Sequence, residues 1–134
     1  MNVFTKRIFA RAGVIATLLL ASASPLFAGA QDCEFQLVQN EAKKGDAIVA
    51  VRLVNKRSGK AVPDAVIAAK RVDMAPDGMA DMTGRIEQLP STEPGVYRFK
   101  ANLSMQGSWQ LSLAAKVQGE NGTVESKLVL KVLP

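Results

Sequence analysis

Apolar and polar residues alternate one for one along most of this chain. Trp109, Leu111, Leu113, Ala115 and Val117 alternate with Ser108, Gln110, Ser112, Ala114 and Lys116. Tyr97, Phe99 and Ala101 alternate with Arg98, Lys100 and Asn102 in the same way. Val49, Val51 and Leu53 stand opposite Ala50, Arg52 and Val54, and Leu128, Leu130 and Val132 opposite Lys127, Val129 and Lys131. A period of two sends successive side chains to opposite faces of a strand. No stretch after residue 30 carries a convincing helical period. The pattern therefore predicts an all-β domain.

Turn chemistry cuts the alternating runs at short intervals. Asn121-Gly122 favours a tight hairpin, because both positions tolerate positive φ. Glu93-Pro94-Gly95 opens another strand, and Arg57-Ser58-Gly59-Lys60 with Pro63-Asp64 forms a loop. Seven strands are expected, at 34–39, 46–54, 65–73, 83–88, 95–102, 107–117 and 123–132. Several short strands of this kind suggest an antiparallel β-sandwich. Trp109, on an apolar stripe, is its expected large core residue, because burying so large an aromatic is favourable.

Residues 1–30 read as a separate unit. Lys6, Arg7 and Arg11 form a positive start, Ala12 to Leu20 is apolar, and Ala28-Gly29-Ala30 offers a small-x-small cleavage pattern. That is the layout of a secretory signal peptide, expected to be cut after Ala30 or Ala28. The apolar run is short of the about 20 residues of a membrane span, so no span is expected after cleavage. The leader looks bacterial, and the expected location is periplasmic. Three of the 17 basic residues and none of the 12 acidic ones lie in the leader, so the net charge falls from +5 to +2 on its removal. The remaining lysines and arginines are scattered pairs, not the clustered footprint of a nucleic-acid binder.

Residues 31–134 are expected to form one domain with one core. Cys33 is the chain's single cysteine. In an oxidising compartment it is a free thiol, a metal ligand or a bridge to a second copy. A dimer through Cys33 is one of these readings.

Beyond Met1, the methionines are Met74, Met79 and Met82 in VDMAPDGMADM and Met105 in NLSMQGSW, and the chain has no histidine. Strands that run alternately up and down put the 74–82 and 103–106 connections at the same end. Met105 should therefore share an end with Met74, Met79 and Met82, away from Cys33. A turn at Pro76-Asp77-Gly78 folds Met74 back towards Met79. Two readings follow. Thioether sulfur is a soft ligand suited to Cu(I), and methionine is also a flexible filler of core gaps. Asp73, Asp77 and Asp81 flank the sulfurs. Oxygen ligands suit Ca²⁺, but their spacing matches no calcium loop, and solvated loop carboxylates are the expectation.

From Gly45 to Val132 the chain resembles the YtkA-like family and the related FixH-like proteins. The resemblance is carried by VRLVNKRSGKAVPDAVI, VDMAPDGMADM and PGVYRFKANLSMQGSWQLSLAAKV. It implies a small exported Ig-like β-sandwich associated with copper and other heavy-metal handling, beside efflux or oxidase-assembly systems. The family's methionine positions fall on Met74, Met79, Met82 and Met105. Without histidine, a site here would favour Cu(I) over Cu(II) or Zn²⁺.

The expected function is thus a periplasmic metal-handling accessory that binds Cu(I) for efflux or copper delivery. The alternative is a non-metal Ig-like interaction module docking on an envelope or transporter complex. Catalysis is not expected, because Cys33 has no histidine to activate it and one small sandwich has little room for a deep pocket.

Overall fold

The computed structural model describes residues 32–134; the expected leader, 1–30, lies outside them. Nine strands are present among these residues: β1 (Cys33–Leu37), β2 (Glu41–Lys43), β3 (Gly45–Asn55), β4 (Val66–Met74), β5 (Met79–Gly84), β6 (Ile86–Leu89), β7 (Val96–Leu103), β8 (Gly107–Lys116) and β9 (Val124–Leu133). They form two sheets, β1-β3-β7-β6 and β2-β9-β8-β4-β5. All pairings are antiparallel except β2 with β9, which is parallel. The first sheet has the A-B-E-D order of an immunoglobulin sandwich, and β9-β8-β4-β5 has the G-F-C-C′ order. The domain is an Ig-like β-sandwich.

The alternation in the sequence is the alternation of burial. Phe99, Val51, Leu53, Trp109 and Ala115 are fully enclosed between the sheets, with Leu111 and Leu130 beside them. Tyr97 anchors the long β3–β4 connection: its hydroxyl donates to the Val62 carbonyl at 2.8 Å and accepts from the Ala65 amide at 2.9 Å. Burial raises its phenol pKa, an effect partly offset by the Ala65 amide and reinforced by the charge of Asp64.

Three features differ from the expected strand list. The segment expected as one strand at 83–88 is two, in different sheets. The chain crosses between the sheets at Gly84 and Arg85, and the Asn102 amide donates to the Arg85 carbonyl at 2.8 Å. Gly84 lies so close to the Asn102 carbonyl that a β-carbon would collide with backbone. The expected loop over 74–82 shrinks to one 3-10 turn, Ala75–Asp77, because Met79 already pairs with Met74. The short strand β2 carries no alternating signal of its own; it forms because the chain leaves the first sheet after Leu37 and meets the end of β9.

The strand directions settle which loops share an end. Gly45 pairs with Leu103, and Gly107 with Val132, at one end; Cys33 pairs with Asn55, and Val66 with Lys116, at the other. The β4–β5 and β7–β8 connections are thus neighbours, and Cys33 lies away from both.

Candidate metal centre

The β4–β5 turn is built by its own residues. Pro76 lies within the first positions of the 3-10 turn, and Gly78 closes it at φ 77°, with its amide donating to the Ala75 carbonyl at 2.8 Å. Left-handed backbone favours glycine there. Asp73 pairs with Thr83, but the next residue, Met74, pairs with Met79. Residues 80–82 therefore bulge out of β5. Bulges re-aim side chains, and this one holds Met82 opposite the Asp73–Met74 step.

Three polar groups fix the bulge and the turn. The Arg71 Nε donates to Asp73 Oδ2 at 2.7 Å, and its Nη2 donates to the Ala80 carbonyl at 2.9 Å. Asp73 Oδ1 accepts from the Ala75 amide at 2.9 Å. Asp77 Oδ2 accepts from the Ser108 amide at 2.8 Å, which joins this turn to the start of β8. Burial alone would raise the Asp73 carboxyl pKa; the Arg71 and Ala75 hydrogen bonds, with the charges of Arg71 and Lys127, outweigh it and hold the carboxyl below its ordinary value.

The expectation that these carboxylates are solvated is corrected for one of the three. Asp73 is buried; Asp77 is exposed, with one carboxylate oxygen bound to the Ser108 amide, and Asp81 is an exposed residue of the bulge. No group of three His, Cys, Asp or Glu side chains placed to hold a metal ion occurs among the described residues.

The four methionines share one end but not one environment. Met74 is 1% exposed and belongs to the core. Met82 is half-buried and packs against that core. Met79 and Met105 are exposed, at 38% and 40%. The Met74 methyl lies under Gly107: a β-carbon there would come within 2.7 Å of it and within 2.6 Å of Asp77 Oδ2. Gly107 holds φ at 139°, which also favours glycine. Met105 is tied to the core by its backbone, since the Trp109 indole Nε1 donates to the Met105 carbonyl at 2.9 Å. Met74 and Met82 are thus the buried and half-buried members of the four, and Met79 and Met105 the exposed ones. The donor set is thioether sulfur with no imidazole in the chain, which is chemically matched to Cu(I) and poorly matched to hard cations.

Sequence reasoning missed Arg71, Asp77 and Gly107 as organisers of this end. The aspartate next to Pro76 was visible as a turn residue; its partner, 31 residues on, was not.

Cys33 opens β1 and is buried. Burial raises its thiol pKa, the charges of Glu120 and Asp32 add to the effect, and Lys56 opposes it.

The model of the YtkA-like family matches residues 27–114. The chain belongs to the YtkA-like family. No curated protein matches it. Among solved structures it is similar to the Lin-41 filamin domain, at 19% identity and a TM-score of 0.45, over 82% of this chain and 98% of that one. It is also similar to part of the endo-beta-1,4-mannanase from Thermotoga petrophila, at 17% identity and a TM-score of 0.39, over 75% of this chain and 19% of that one. Neither likeness bears on function. Among the described residues of this YtkA-like protein, no helix is long and apolar enough to cross a membrane.

Proposed function

We propose that this YtkA-like protein is a non-catalytic periplasmic accessory that binds Cu(I) through Met74, Met79, Met82 and Met105, for efflux or for delivery to an envelope efflux or oxidase-assembly protein. The observation that carries the reading is the joining of the two methionine-bearing connections at one end, through the Asp77–Ser108 hydrogen bond and the close approach of Met74 to Gly107. Met79 and Met105 are the accessible sulfurs and would meet the ion first. Met82 is half-buried, and Met74 is reached only if its side chain swings out of the core. Export rests on the leader-like sequence of residues 1–30.

The test is titration with Cu(I) under reducing conditions against a competing chelator. Wild type is compared with a variant carrying leucine at all four methionines, both with Cys33→Ala so that no thiolate competes. Leucine roughly conserves volume, at a packing cost typically below about 1.5 kcal/mol per site. Tight uptake that the leucine variant loses supports the reading. Copper bound near Met105 should also quench Trp109, the chain's single tryptophan, whose indole is bonded to the Met105 carbonyl. Equal, weak uptake by both proteins would defeat the copper reading. It would favour the interaction module, for which exposed methionine also suits an adaptable protein-binding surface.

A further inference from the structure

The two sheets leave several uncovered edge segments; that of β4, Val66–Arg71, is interrupted in register between Ile67 and Ala69, and that of β3, Gly45–Val49, is shorter than the one on β9. β5 is broken by its bulge. β6 is four residues long and runs into Pro90. β1 is five residues long. β9 is different. It pairs with β8 in unbroken register from Val124 to Val132, but on its other side β2 covers only Lys131 to Leu133. Residues 124–130 of β9 are therefore unbroken in register and without a hydrogen-bonded strand on that side, among the described residues, with β1 of the facing sheet passing close by. An unpaired edge of this kind is a template for another strand.

The side chains along this edge are complementary to themselves. Val124 is buried and Leu128 half-buried on the inner face, with Ser126 between them; Glu125 and Lys127 are exposed on the outer face. Neither Glu125 nor Lys127 has an ion-pair partner among the described residues. If a second β9 runs antiparallel about a twofold axis through Ser126, each Glu125 stands directly opposite the other copy's Lys127. Each Val124 then meets the other copy's Leu128. Opposite charges and apolar residues facing each other across strands stabilise a pairing, and like charges destabilise it.

Neighbouring registers are worse. An axis through Lys127 sets lysine against lysine, and one through Glu125 sets glutamate against glutamate. An axis through Leu128 would pair Glu125 with Lys131, but β2 already occupies Lys131. The matching register lies within the uncovered part of the strand. A twofold contact of this type uses the same patch on both copies, so each favourable pair occurs twice.

We infer that this protein self-associates through the β9 edge, a second copy adding its β9 antiparallel about Ser126 to join β5-β4-β8-β9 of each copy into one eight-stranded row, with each β2 beside the joint. The inference is independent of metal binding.

The test is sedimentation velocity of the wild-type protein across a wide range of concentration. It is repeated for Glu125→Lys, Lys127→Glu and the double charge-swap variant. Both side chains are exposed, and circular dichroism checks that each variant is folded. The expected result is a concentration-dependent dimer. Each single reversal should weaken it about tenfold, since it places two like-charged pairs across the axis, and the double swap should restore it. Hydrogen exchange at residues 124–128 should slow as concentration rises. A protein that stays monomeric throughout overturns the inference, and this is also the outcome if another segment or a different partner covers the edge. A dimer indifferent to both reversals overturns it as well, because its interface lies elsewhere.

Discussion

Asp77 and Ser108 lie 31 positions apart, and the Ser108 amide donates to the Asp77 carboxylate at 2.8 Å. This bond closes the methionine-bearing end of the sandwich. The amide is the second residue of β8, and the carboxylate ends the 3-10 turn after β4. Asp77→Ala removes the acceptor and should lower unfolding stability by about 1 kcal/mol, the scale of one net hydrogen bond. Asp77→Asn keeps an acceptor oxygen and should cost less. If the two connections act as one site, Cu(I) affinity should fall in the alanine variant and be largely kept in the asparagine variant. Denaturant unfolding and the chelator titration read the two effects separately.

The parts of this end that were legible in the sequence are those set by strand parity. Trp109 and Met74 fall on inward positions of their strands, and counting strands put Met105 beside the 74–82 segment and Cys33 at the far end. The parts that were not legible depend on departures from regular pairing. The alternation continues through 83–88, so nothing in it marks the change of sheet at Gly84. The bulge at residues 80–82 is held by the Arg71 guanidinium reaching the Ala80 carbonyl, a contact that no local pattern encodes. Asp73 looked like a solvated loop acid because neither its burial nor its bonds to the Arg71 guanidinium and the Ala75 amide leave a mark on composition; Asp77 is exposed as expected, and its bond to the Ser108 amide was equally unmarked.

The split between buried and exposed methionines should appear as a split in stability. Met74→Ala empties a fully enclosed site and should cost about 2–5 kcal/mol. Met79→Ala and Met105→Ala remove exposed side chains and should stay within about 0.5 kcal/mol. Met82→Ala should fall between them. Urea unfolding of the four variants measures the series. A Met74→Ala cost as small as that of Met105→Ala would mean that Met74 is not a core residue in solution.

Asp73 should contribute to stability at neutral pH and withdraw that contribution in acid. Its native carboxyl pKa lies below the ordinary 3.8, so the unfolded chain takes up the proton first. The contribution is complete above the unfolded value. It declines as pH falls from about 3.8 through the lower native value. Asp73→Asn should be less stable at neutral pH and should lose that part of the acid slope. Thermal unfolding of both proteins between neutral pH and the acid limit measures the difference, and parallel curves would show that Asp73 carries no linked proton.

Cys33 should react slowly with thiol reagents. Its side chain is buried in the core, and burial, Glu120 and Asp32 together favour the neutral thiol over the reactive thiolate. Attack by an aromatic disulfide at neutral pH therefore requires local opening of β1 from β3, where Cys33 pairs with Asn55. Labelling should be slow in the native protein, rapid in denaturant, and faster in a variant that loosens the start of β1. Asp32→Ala serves for this, since the Lys56 amide donates to the Asp32 carbonyl at 2.7 Å and Arg57 lies 3.6 Å from its carboxylate. The substitution keeps the backbone bond but removes the ion pair, and it also removes a charge that disfavours the thiolate. Measuring the rate against pH separates the two effects. An opening-limited reaction is independent of reagent concentration and changes little with thiolate fraction, whereas a thiolate-limited one climbs with pH towards the raised pKa. The same barrier stands in the way of a disulfide between two copies, so oxidation of the folded protein should leave Cys33 reduced unless β1 first detaches.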